Sequence, residues 1–325
     1  MAYDTEKTVA IKAALAAAQL CETVRNQISP EAIEKKDKSP VTIADFGAQA
    51  VICRAVDAVF PDDPIVGEED TTDLRQPEMS DRLDQIVALV KAIESDATPD
   101  GVLEWIDRGN GQVSPRYWTL DPIDGTKGFL RKDQYAIALA LIESGEVKLG
   151  VMACPALTFD KAGSPGLLFV AVRGEGATMV PFANGEIVGE PQPLKVVSAN
   201  QADGFRLVES MESGHGDHSR QESAAKAVGI TQESLRMDSQ AKYGAVAAGK
   251  AALYLRLPSP KSPDYREKIW DHAAGAIVVE EAGGRVTDMF GKPLDFANAA
   301  RMMDNQGVVV SNGDIHDEII QTLGQ

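Results

Sequence analysis

Asp121-Pro122-Ile123-Asp124-Gly125-Thr126 is the stretch of sequence on which the interpretation of the whole chain depends. It follows Trp118-Thr119-Leu120, whose apolar character predicts a short strand. Two carboxylates three residues apart offer the hard oxygen ligands that magnesium prefers, and we expect Pro122 to impose a turn that brings both of them, with the Ile123 carbonyl, to one ion. The Gly-Thr step behind them is expected to open a helix beside a phosphate-sized gap.

Other acidic segments can complete such a site. Gly67-Glu68-Glu69-Asp70 follows the short β-like run Ile65-Val66-Gly67, Trp270-Asp271 lies far downstream, and Asp45 falls in the first turn of a predicted helix. Each has a simpler interpretation by itself: a solvated surface run, a helix cap, and a partner of the helix dipole. Their presence together in one chain favours a shared metal site.

The composition excludes some classes of function. The 325 residues carry a formal net charge of -17, which disfavours a nucleic-acid polymer or an anionic membrane as a partner. A small anionic substrate remains compatible, because bound cations reverse the local field. No apolar run reaches about 18 residues and no signal-peptide pattern begins the chain, so we expect a cytoplasmic protein, with nuclear sharing left open. Cys21, Cys53 and Cys154 are expected to be reduced core residues.

The periodicity of apolar residues predicts two regions, 1–190 and 191–325. In the first, helices over 5–27, 42–60 and 78–96 flank a mainly antiparallel sheet with hairpins over 135–152 and 167–180. Residues 183–193, rich in Gly and Pro, are expected to form a linker. In the second region strands and helices alternate, which predicts an α/β layer. The expected strands are 194–198, 205–208, 252–257 and 307–310, and the expected helices are 219–228, 240–249, 271–282 and 314–323.

The order of these motifs resembles the inositol monophosphatase-like superfamily of metal-dependent, lithium-sensitive phosphatases. The resemblance covers the chain from Val41-Thr42-Ile43-Ala44-Asp45 to Trp270-Asp271-His272-Ala273-Ala274-Gly275. It implies an α+β or α/β fold, the layered α-β-α-β-α sandwich of the inositol monophosphatase and fructose-1,6-bisphosphatase type. The Asp-Pro-Ile-Asp-Gly-Thr motif is specific for this superfamily but does not fix the substrate.

Two later segments narrow the branch of the superfamily. Residues 237–243 (Met-Asp-Ser-Gln-Ala-Lys-Tyr) and 254–258 (Tyr-Leu-Arg-Leu-Pro), followed by 267–272, are similar to the 3′(2′),5′-bisphosphate nucleotidases of fungi and plants. This resemblance implies removal of the 3′-phosphate from adenosine 3′,5′-bisphosphate to give AMP. It also implies activity on 3′-phosphoadenosine 5′-phosphosulfate, and so a role in sulfur assimilation.

The resemblance also implies the residues of the metal site and of catalysis. Two or three magnesium ions are expected at the family's ligand positions, which here are Glu68, Asp121, the Ile123 carbonyl, Asp124 and Asp271. Asp45 and Thr126 match the pair that orients and deprotonates the attacking water. A threonine hydroxyl is a poor base alone, but a neighbouring carboxylate makes it a relay.

The substrate carries several negative charges, so cationic residues are needed beyond the metal. Ser239, Lys242 and Arg256 fall on nucleotide-binding positions of the family, as do Thr126 and Asp271, and the Arg256 guanidinium suits a 5′-phosphate. The simpler alternatives are a solvated helix lysine and a surface arginine. His215 is the expected nucleotide-contacting histidine, with His218 and a plain surface loop as alternatives. Lys127 and Lys268 are expected to add only positive field.

Two other functions stay open at this level. An inositol polyphosphate 1-phosphatase would use the same metal site, and a catalytically silent sensor of nucleotides or metals would keep the fold. Residues 237–243 and 254–257 favour the nucleotidase, and the full set of ligand and base positions disfavours the sensor. The partner is expected to be a small phosphorylated nucleotide, and the resemblance implies a monomer.

Overall fold

The computed structural model describes residues 3–27, 33–34, 40–159, 166–201, 203–211 and 218–324. Within these ranges the α-helices are α1 Asp4–Gln27, α2 Ile43–Asp57, α3 Ser80–Lys91, α4 Pro99–Asp107, α5 Thr126–Arg131, α6 His218–Ala227, α7 Ala241–Ala247, α8 Ala273–Glu281 and α9 His316–Leu323. Short 3-10 turns cover Pro77–Met79 and Ile269–Asp271.

The strands of the described ranges fall into three sheets. They are β1 Ile33–Glu34, β2 Pro40–Val41, β3 Ile65–Gly67, β4 Arg116–Asp124, β5 Ala136–Glu143, β6 Glu146–Cys154, β7 Gly166–Val172, β8 Gly176–Ala183, β9 Glu186–Ile187, β10 Gln192–Pro193, β11 Leu207–Glu209, β12 Leu235–Arg236, β13 Leu253–Arg256, β14 Arg285–Thr287 and β15 Val308–Ser311. The large sheet has the order β10-β8-β7-β6-β5-β4-β3, with β9 also on β8, and it is antiparallel except for the β3–β4 pair. The small sheet has the order β12-β11-β13-β15-β14, and β1 pairs with β2 in a two-stranded sheet.

The helices and the two larger sheets stack in five layers. The first core cluster joins helices α1 to α4 to one face of the large sheet. The second joins the other face of that sheet to α7 and α8, and these to the small sheet. The third packs α6 and α9 on the far face of the small sheet. The predicted α-β-α-β-α sandwich is therefore confirmed.

Burial on both faces explains why the central strands are almost continuously apolar. Strand β5, Ala-Ile-Ala-Leu-Ala-Leu-Ile-Glu, is buried at every residue except its last, because helices cover the sheet on both sides. Helix α8 approaches β6 closely at Gly150, where an added Cβ would lie 2.4 Å from the Ile277 side chain. Only glycine permits that approach, which sets the depth of α8 in the middle layer.

Several predictions made from the sequence were wrong in detail. Residues 183–193 are not a linker, because β9 and β10 lie in them and pair with β8 at the edge of the large sheet. No strand forms over 194–198, all of which the structure describes. The helix expected over 78–96 ends at Lys91. A separate helix, α4, follows it; Thr98 caps the N-terminus of α4, and Pro99 lies in the first turn of α4. The proposed division of the chain at residue 190 stays a prediction.

The other predicted elements lie close to their expected bounds. Helices α1 and α2, both hairpins of the large sheet, and most of the alternating elements after residue 205 are present. Cys21, Cys53 and Cys154 are buried thiols, as expected. Across the described ranges, no helix combines the length and the apolar character needed to cross a bilayer.

Candidate active site

The motif at residues 121–126 lies at the end of β4, and a β-bulge gives it its geometry. Asp121 is opposite Ala138 of β5, and Asp124 is opposite Ala136, so three steps along β4 match two along β5. In a regular strand, residues three apart point to opposite faces; the extra residue brings both carboxylates to the same face. The expected turn at Pro122 is therefore wrong, but the consequence expected from it, two carboxylates facing one site, holds.

Local hydrogen bonds fix the backbone between the two carboxylates. The Asp121 Oδ1 accepts from the Ile123 N–H at 3.1 Å, and the Ile123 carbonyl accepts from the Thr126 hydroxyl at 3.2 Å. Gly125 has φ +86°, and a Cβ there would lie 2.9 Å from the Ser239 Cβ, so glycine is required on both counts. Helix α5 then begins at Thr126, as predicted.

Asp45 is fully buried near the N-terminus of α2, and its two oxygens have different partners. Oδ2 accepts from the N–H and the hydroxyl of Thr42, at 2.8 and 2.7 Å, which makes a capping box. Oδ1 lies 3.4 Å from the Thr126 hydroxyl. One oxygen is therefore anchored, while the other faces a hydroxyl whose single proton can go either to Asp45 or to the Ile123 carbonyl.

The predicted metal ligands lie close enough to repel one another. Asp121 is buried, and its pKa is raised well above its ordinary value. Burial is the largest cause, and neighbouring carboxylates add to it in this order: Glu68, Asp124, Asp271 and Asp45. The pKa of Asp271 is also raised well above its ordinary value, by burial first and against the influence of Arg256. Such a crowd of negative oxygens favours a bound cation.

Asp124 faces both the acidic cluster and the nearest cations. Burial raises its pKa, although Lys242 and a hydrogen bond from the Gln240 N–H, at 2.6 Å, favour its charged form. The Gln240 side chain donates to the Trp270 carbonyl at 2.9 Å and accepts from the Gly275 N–H at 3.1 Å. Gln240 therefore joins Asp124 to the segment that carries Asp271, a role that the sequence analysis missed.

Glu68 is placed by a second residue that the sequence analysis missed. The buried Gln49 amide accepts from the Glu69 N–H at 3.0 Å and donates to the Glu69 carbonyl at 2.5 Å and to the Ile106 carbonyl at 2.9 Å. Gln49 lies one turn after Asp45 on α2, so one helix face supports both the candidate base and a candidate ligand. That spacing was the available signal in the sequence.

The cationic side of the site comes from α7 and β13. Lys242 is buried on α7, and burial lowers its pKa to about 8 despite the opposing influence of Asp124. Its Nζ lies 5.2 Å from the centroid of the Tyr254 ring. Arg256 ends β13, and its Nε lies 2.7 Å from the Glu267 Oε2.

Ser239 precedes α7 with φ +65°, which is uncommon for a residue with a side chain. Its Oγ accepts from the Ala241 N–H at 3.1 Å. His215 lies outside the described residues, and His218 is the first residue of α6, with a side chain that is not described. Lys127 is exposed on α5, and the Lys268 Nζ lies 4.5 Å from the centroid of the Trp270 ring.

A buried group of polar side chains borders the cationic side. The Glu267 Oε2 also lies 3.2 Å from the His272 Nε2, and the His272 Nδ1 lies 2.7 Å from the Tyr243 hydroxyl. Burial opposes ionisation of Glu267, but Arg256 and His272 outweigh it and lower its pKa to about 2. Ligand atoms of Glu267, Asp271 and His272 lie within 4.8 Å of one another, which continues the acidic cluster beyond the predicted ligands.

The structure therefore draws the predicted site residues that it describes from separate parts of the chain. Asp45 and Glu68 come from α2 and the end of β3, and Asp121 to Thr126 from the end of β4. Ser239 and Lys242 come from the start of α7, and Arg256 and Asp271 from the segments between β13 and α8.

Comparison with known proteins gives consistent results. The chain is 41% identical over 340 residues to the 3′(2′),5′-bisphosphate nucleotidase of Schizosaccharomyces pombe, covering 99% of this chain and 95% of that protein. It is 40% identical over 344 residues to the enzyme of the same name from Oryza sativa, covering 99% and 94%.

Among solved structures, the Thermotoga maritima IMPase is 25% identical with a TM-score of 0.66, covering 98% of this chain and 97% of that one. The model of the inositol monophosphatase family matches residues 3–325. The five-layer fold, the carboxylates gathered at the end of β4 and these matches lead to one conclusion: the chain belongs to the inositol monophosphatase family.

Proposed function

We propose that this protein is a magnesium-dependent phosphomonoesterase that removes the 3′-phosphate from adenosine 3′,5′-bisphosphate, giving AMP and phosphate. The 5′-phosphosulfate analogue is proposed as a second substrate, which would connect the enzyme with sulfur assimilation. One observation carries the proposal: a crowded carboxylate cluster lies directly beside Lys242 and Arg256. The names of the fungal and plant relatives support the choice of a nucleotide.

The donor set fits magnesium. The candidate ligands are carboxylates and one carbonyl, all hard oxygen donors. The pKa of Asp121, Asp124 and Asp271 is raised by burial first and by neighbouring carboxylates after it, and a divalent ion would neutralise the charge of those carboxylates. We assign Glu68, Asp121, the Ile123 carbonyl, Asp124 and Asp271 as the residues that would hold two or three ions. Bound there, magnesium supplies positive charge that acidifies a water molecule and stabilises the leaving oxygen, and lithium should compete for one of these sites.

Asp45 and Thr126 would accept the proton of the attacking water. The water oxygen forms a bond to the 3′-phosphorus as the bond from phosphorus to the ribose 3′-oxygen breaks. The departing oxygen takes a proton from solvent, and the proton that the attacking water loses is returned to solvent in the same turnover. Thr126 accepts a hydrogen bond from the water and passes its own proton to the Asp45 Oδ1, 3.4 Å away. Asp45 is suited to this because Thr42 holds its other oxygen in place.

The basic residues would hold the rest of the nucleotide. Arg256 is assigned to the 5′-phosphate, because a guanidinium presents several donors to phosphate oxygens. Lys242, next to Asp124, adds charge between the two phosphates, and Ser239 lies against Gly125 at the same junction. Thr126 and Asp271 are assigned contacts with the substrate as well, and His215 is proposed to contact the nucleotide, with His218 as the alternative.

The test is phosphate release from adenosine 3′,5′-bisphosphate and from inositol 1,4-bisphosphate, at equal concentration with magnesium. We expect a large preference for the nucleotide. A preference for the inositol substrate would keep the metal site and overturn the roles of Ser239, Lys242 and Arg256. Release from neither substrate would favour a binding function without catalysis. We further propose that the enzyme acts in the cytoplasm as a monomer, which fractionation and sedimentation would test.

A further inference from the structure

Glu267 is a buried carboxylate at the border of the cationic side. Glu267 is 7% exposed, and it precedes the candidate ligand Asp271 by four positions. The backbone around it is held by the loop before β15: the Glu267 carbonyl accepts from the Met302 N–H at 3.0 Å, and the Ile269 N–H donates to the Ala300 carbonyl at 3.0 Å. The carboxylate therefore projects from a fixed piece of backbone.

Glu267 is in contact with Arg256, and its side chain is more deeply buried than that of the arginine. The Nε of Arg256 lies 2.7 Å from Oε2, with the arginine side chain 26% exposed and the glutamate side chain 8% exposed. Glu267 thus lies behind the guanidinium, on the protein side. A guanidinium has five N–H donors in a rigid fork, so a partner that holds Nε also sets the direction of the remaining donors.

A second partner contacts the same carboxylate oxygen of Glu267. His272 lies 3.2 Å from the same oxygen through Nε2, and its Nδ1 lies 2.7 Å from the Tyr243 hydroxyl. Both the histidine and the tyrosine are about 1% exposed. A neutral imidazole that donates to Glu267 through Nε2 accepts the tyrosine hydroxyl proton at Nδ1, so the chain from Tyr243 to Arg256 can be satisfied at every link.

Charge alone would make Glu267 unfavourable for binding phosphate. A carboxylate beside Arg256 reduces the positive field that an incoming phosphate meets. If it aids binding, it does so through geometry: an arginine already held in place loses less side-chain entropy when the phosphate binds.

We infer that Glu267 is a positioning residue that holds Arg256 in the orientation that receives the second phosphate of the substrate. It thereby sets the preference for nucleotides with a 5′-anionic group. This inference rests on the proposed function and adds a residue to it. Glu267 touches neither the phosphate that is cleaved nor the water that attacks it.

Two substitutions separate position from charge. Glu267→Asp keeps the charge but withdraws the carboxylate by one methylene, and Glu267→Gln keeps the position of an oxygen acceptor but removes the charge. We expect Glu267→Asp to raise KM for adenosine 3′,5′-bisphosphate about tenfold, equivalent to about 1.4 kcal/mol, with kcat nearly unchanged. Glu267→Gln should stay within about threefold of the unmodified enzyme, because an acceptor still faces Arg256.

Inhibition constants give a readout that a general loss of structure would not reproduce. Adenosine 5′-monophosphate carries only the phosphate assigned to Arg256, while inorganic phosphate can occupy the cleavage site alone. Glu267→Asp should raise the inhibition constant of AMP about tenfold and leave that of inorganic phosphate unchanged. Glu281→Asp is the matched control, since Glu281 is another largely buried glutamate beside an arginine, Arg173, away from the site. It should change neither constant.

The outcomes distinguish this inference from the proposed function. If the unmodified enzyme releases no phosphate from the bisphosphate with magnesium, the proposed function itself fails. If it does, but Glu267→Asp leaves KM unchanged, or weakens AMP and inorganic phosphate equally, or raises the magnesium requirement instead, the inference alone is wrong. In an Arg256→Met background, where no cation is left to position, Glu267→Asp should have no further effect; an additive effect would also overturn the inference.

Discussion

The acidic and the basic sides of the site differ in how the charge of their side chains is balanced. On the acidic side, formed by Asp45, Glu68, Asp121, Asp124 and Asp271, burial and then neighbouring carboxylates raise the pKa of Asp121 and Asp271. On the basic side, Lys242 has Asp124 as its first neighbouring charge, and Arg256 has Glu267. The comparison indicates that the acidic side needs charge from outside the chain, whereas the basic side is already balanced and needs only to be correctly oriented.

Removal of metal should abolish the activity that depends on the acidic side. Chelation is expected to abolish phosphate release, because nothing then offsets the repulsion between the carboxylates and the substrate phosphate. Magnesium should restore activity, and lithium should inhibit it. A second readout is the melting temperature, which magnesium should raise, since a ligand at 100 times its Kd stabilises a protein by about 2.7 kcal/mol. Full activity in chelator, or a melting temperature that ignores magnesium, would contradict the assigned ligands.

Asp45→Asn should remove the proton acceptor and leave the rest of the acidic side intact. General base catalysis contributes about 10²- to 10⁴-fold, so we expect kcat to fall by that range while nucleotide binding is retained. The asparagine oxygen can still accept from Thr42, so the helix cap should survive. Asp57→Asn is the matched control, because Asp57 lies on the same helix and pairs with Arg108 instead. Near-normal turnover in Asp45→Asn would exclude the relay.

Arg256→Met should weaken the basic side without touching the chemistry. A hydrogen bond to a charged group contributes about 1.5–3 kcal/mol, so KM for the bisphosphate should rise by roughly 10- to 100-fold with a small change in kcat. Arg266→Met serves as the control, because the described hydrogen bonds of the Arg266 side chain go to the backbone carbonyls of Tyr265 and Met303. An equal fall in kcat for Arg256→Met would mean that this arginine supports the transition state.

Asp121→Asn should have opposite effects on activity and on stability. Activity should be lost, but the metal-free protein should melt a few degrees higher at pH 8, since relief of about 1 kcal/mol shifts the melting temperature by roughly 2–4 °C. The amide oxygen can still accept from the Ile123 N–H. Asp96→Asn, at an exposed position, is the control and should change little. A lower melting temperature for Asp121→Asn would contradict the repulsion.

The same variant has an expected dependence on pH. The pKa of Asp121 is raised in the folded state, so the folded protein binds more protons than the unfolded chain, and stability falls as pH rises towards and through that raised value. The metal-free protein should therefore lose stability as the pH rises above the ordinary range of a carboxyl pKa, less so in Asp121→Asn, and magnesium should suppress the difference. Thermal melts in chelator and in magnesium would measure it.

The acidic side was largely predictable because its signals are local. Asp121 and Asp124 lie in one contiguous motif, and Asp45 lies at a recognisable helix start. The bulge that aligns the first two was not predictable, because it depends on how many residues of β5 face those of β4. The sequence of β4 alone does not show how its residues pair with those of β5. Pro122 favoured the prediction of a turn instead.

The supporting residues of both sides were missed for a related reason. Gln49 and Gln240 act through hydrogen bonds to segments far away in the sequence, and Glu267 acts through a partner that also comes from elsewhere in the chain. The strands within 183–193 were missed because two-residue strands carry no periodicity, and Gly and Pro favoured a linker. Thr98 and Pro99 did carry the signal for α4, but the longer predicted helix before them concealed it.

The bonds of Gln240 have a consequence for how the protein is made. Synthesis proceeds from the N-terminus, so Asp45, Glu68, Asp121 and Asp124 all leave the ribosome before Gln240, and Asp271 later still. Until the segment with Gln240 arrives, Asp124 lacks the backbone amide that holds it, and the Gln240 side chain gains its own partners, the Trp270 carbonyl and the Gly275 amide, only when those later residues follow. A growing chain thus carries most of the acidic groups of the site before it can assemble that site. The complete site forms only after the segment from Gln240 onward has been synthesised and has packed against the rest of the protein.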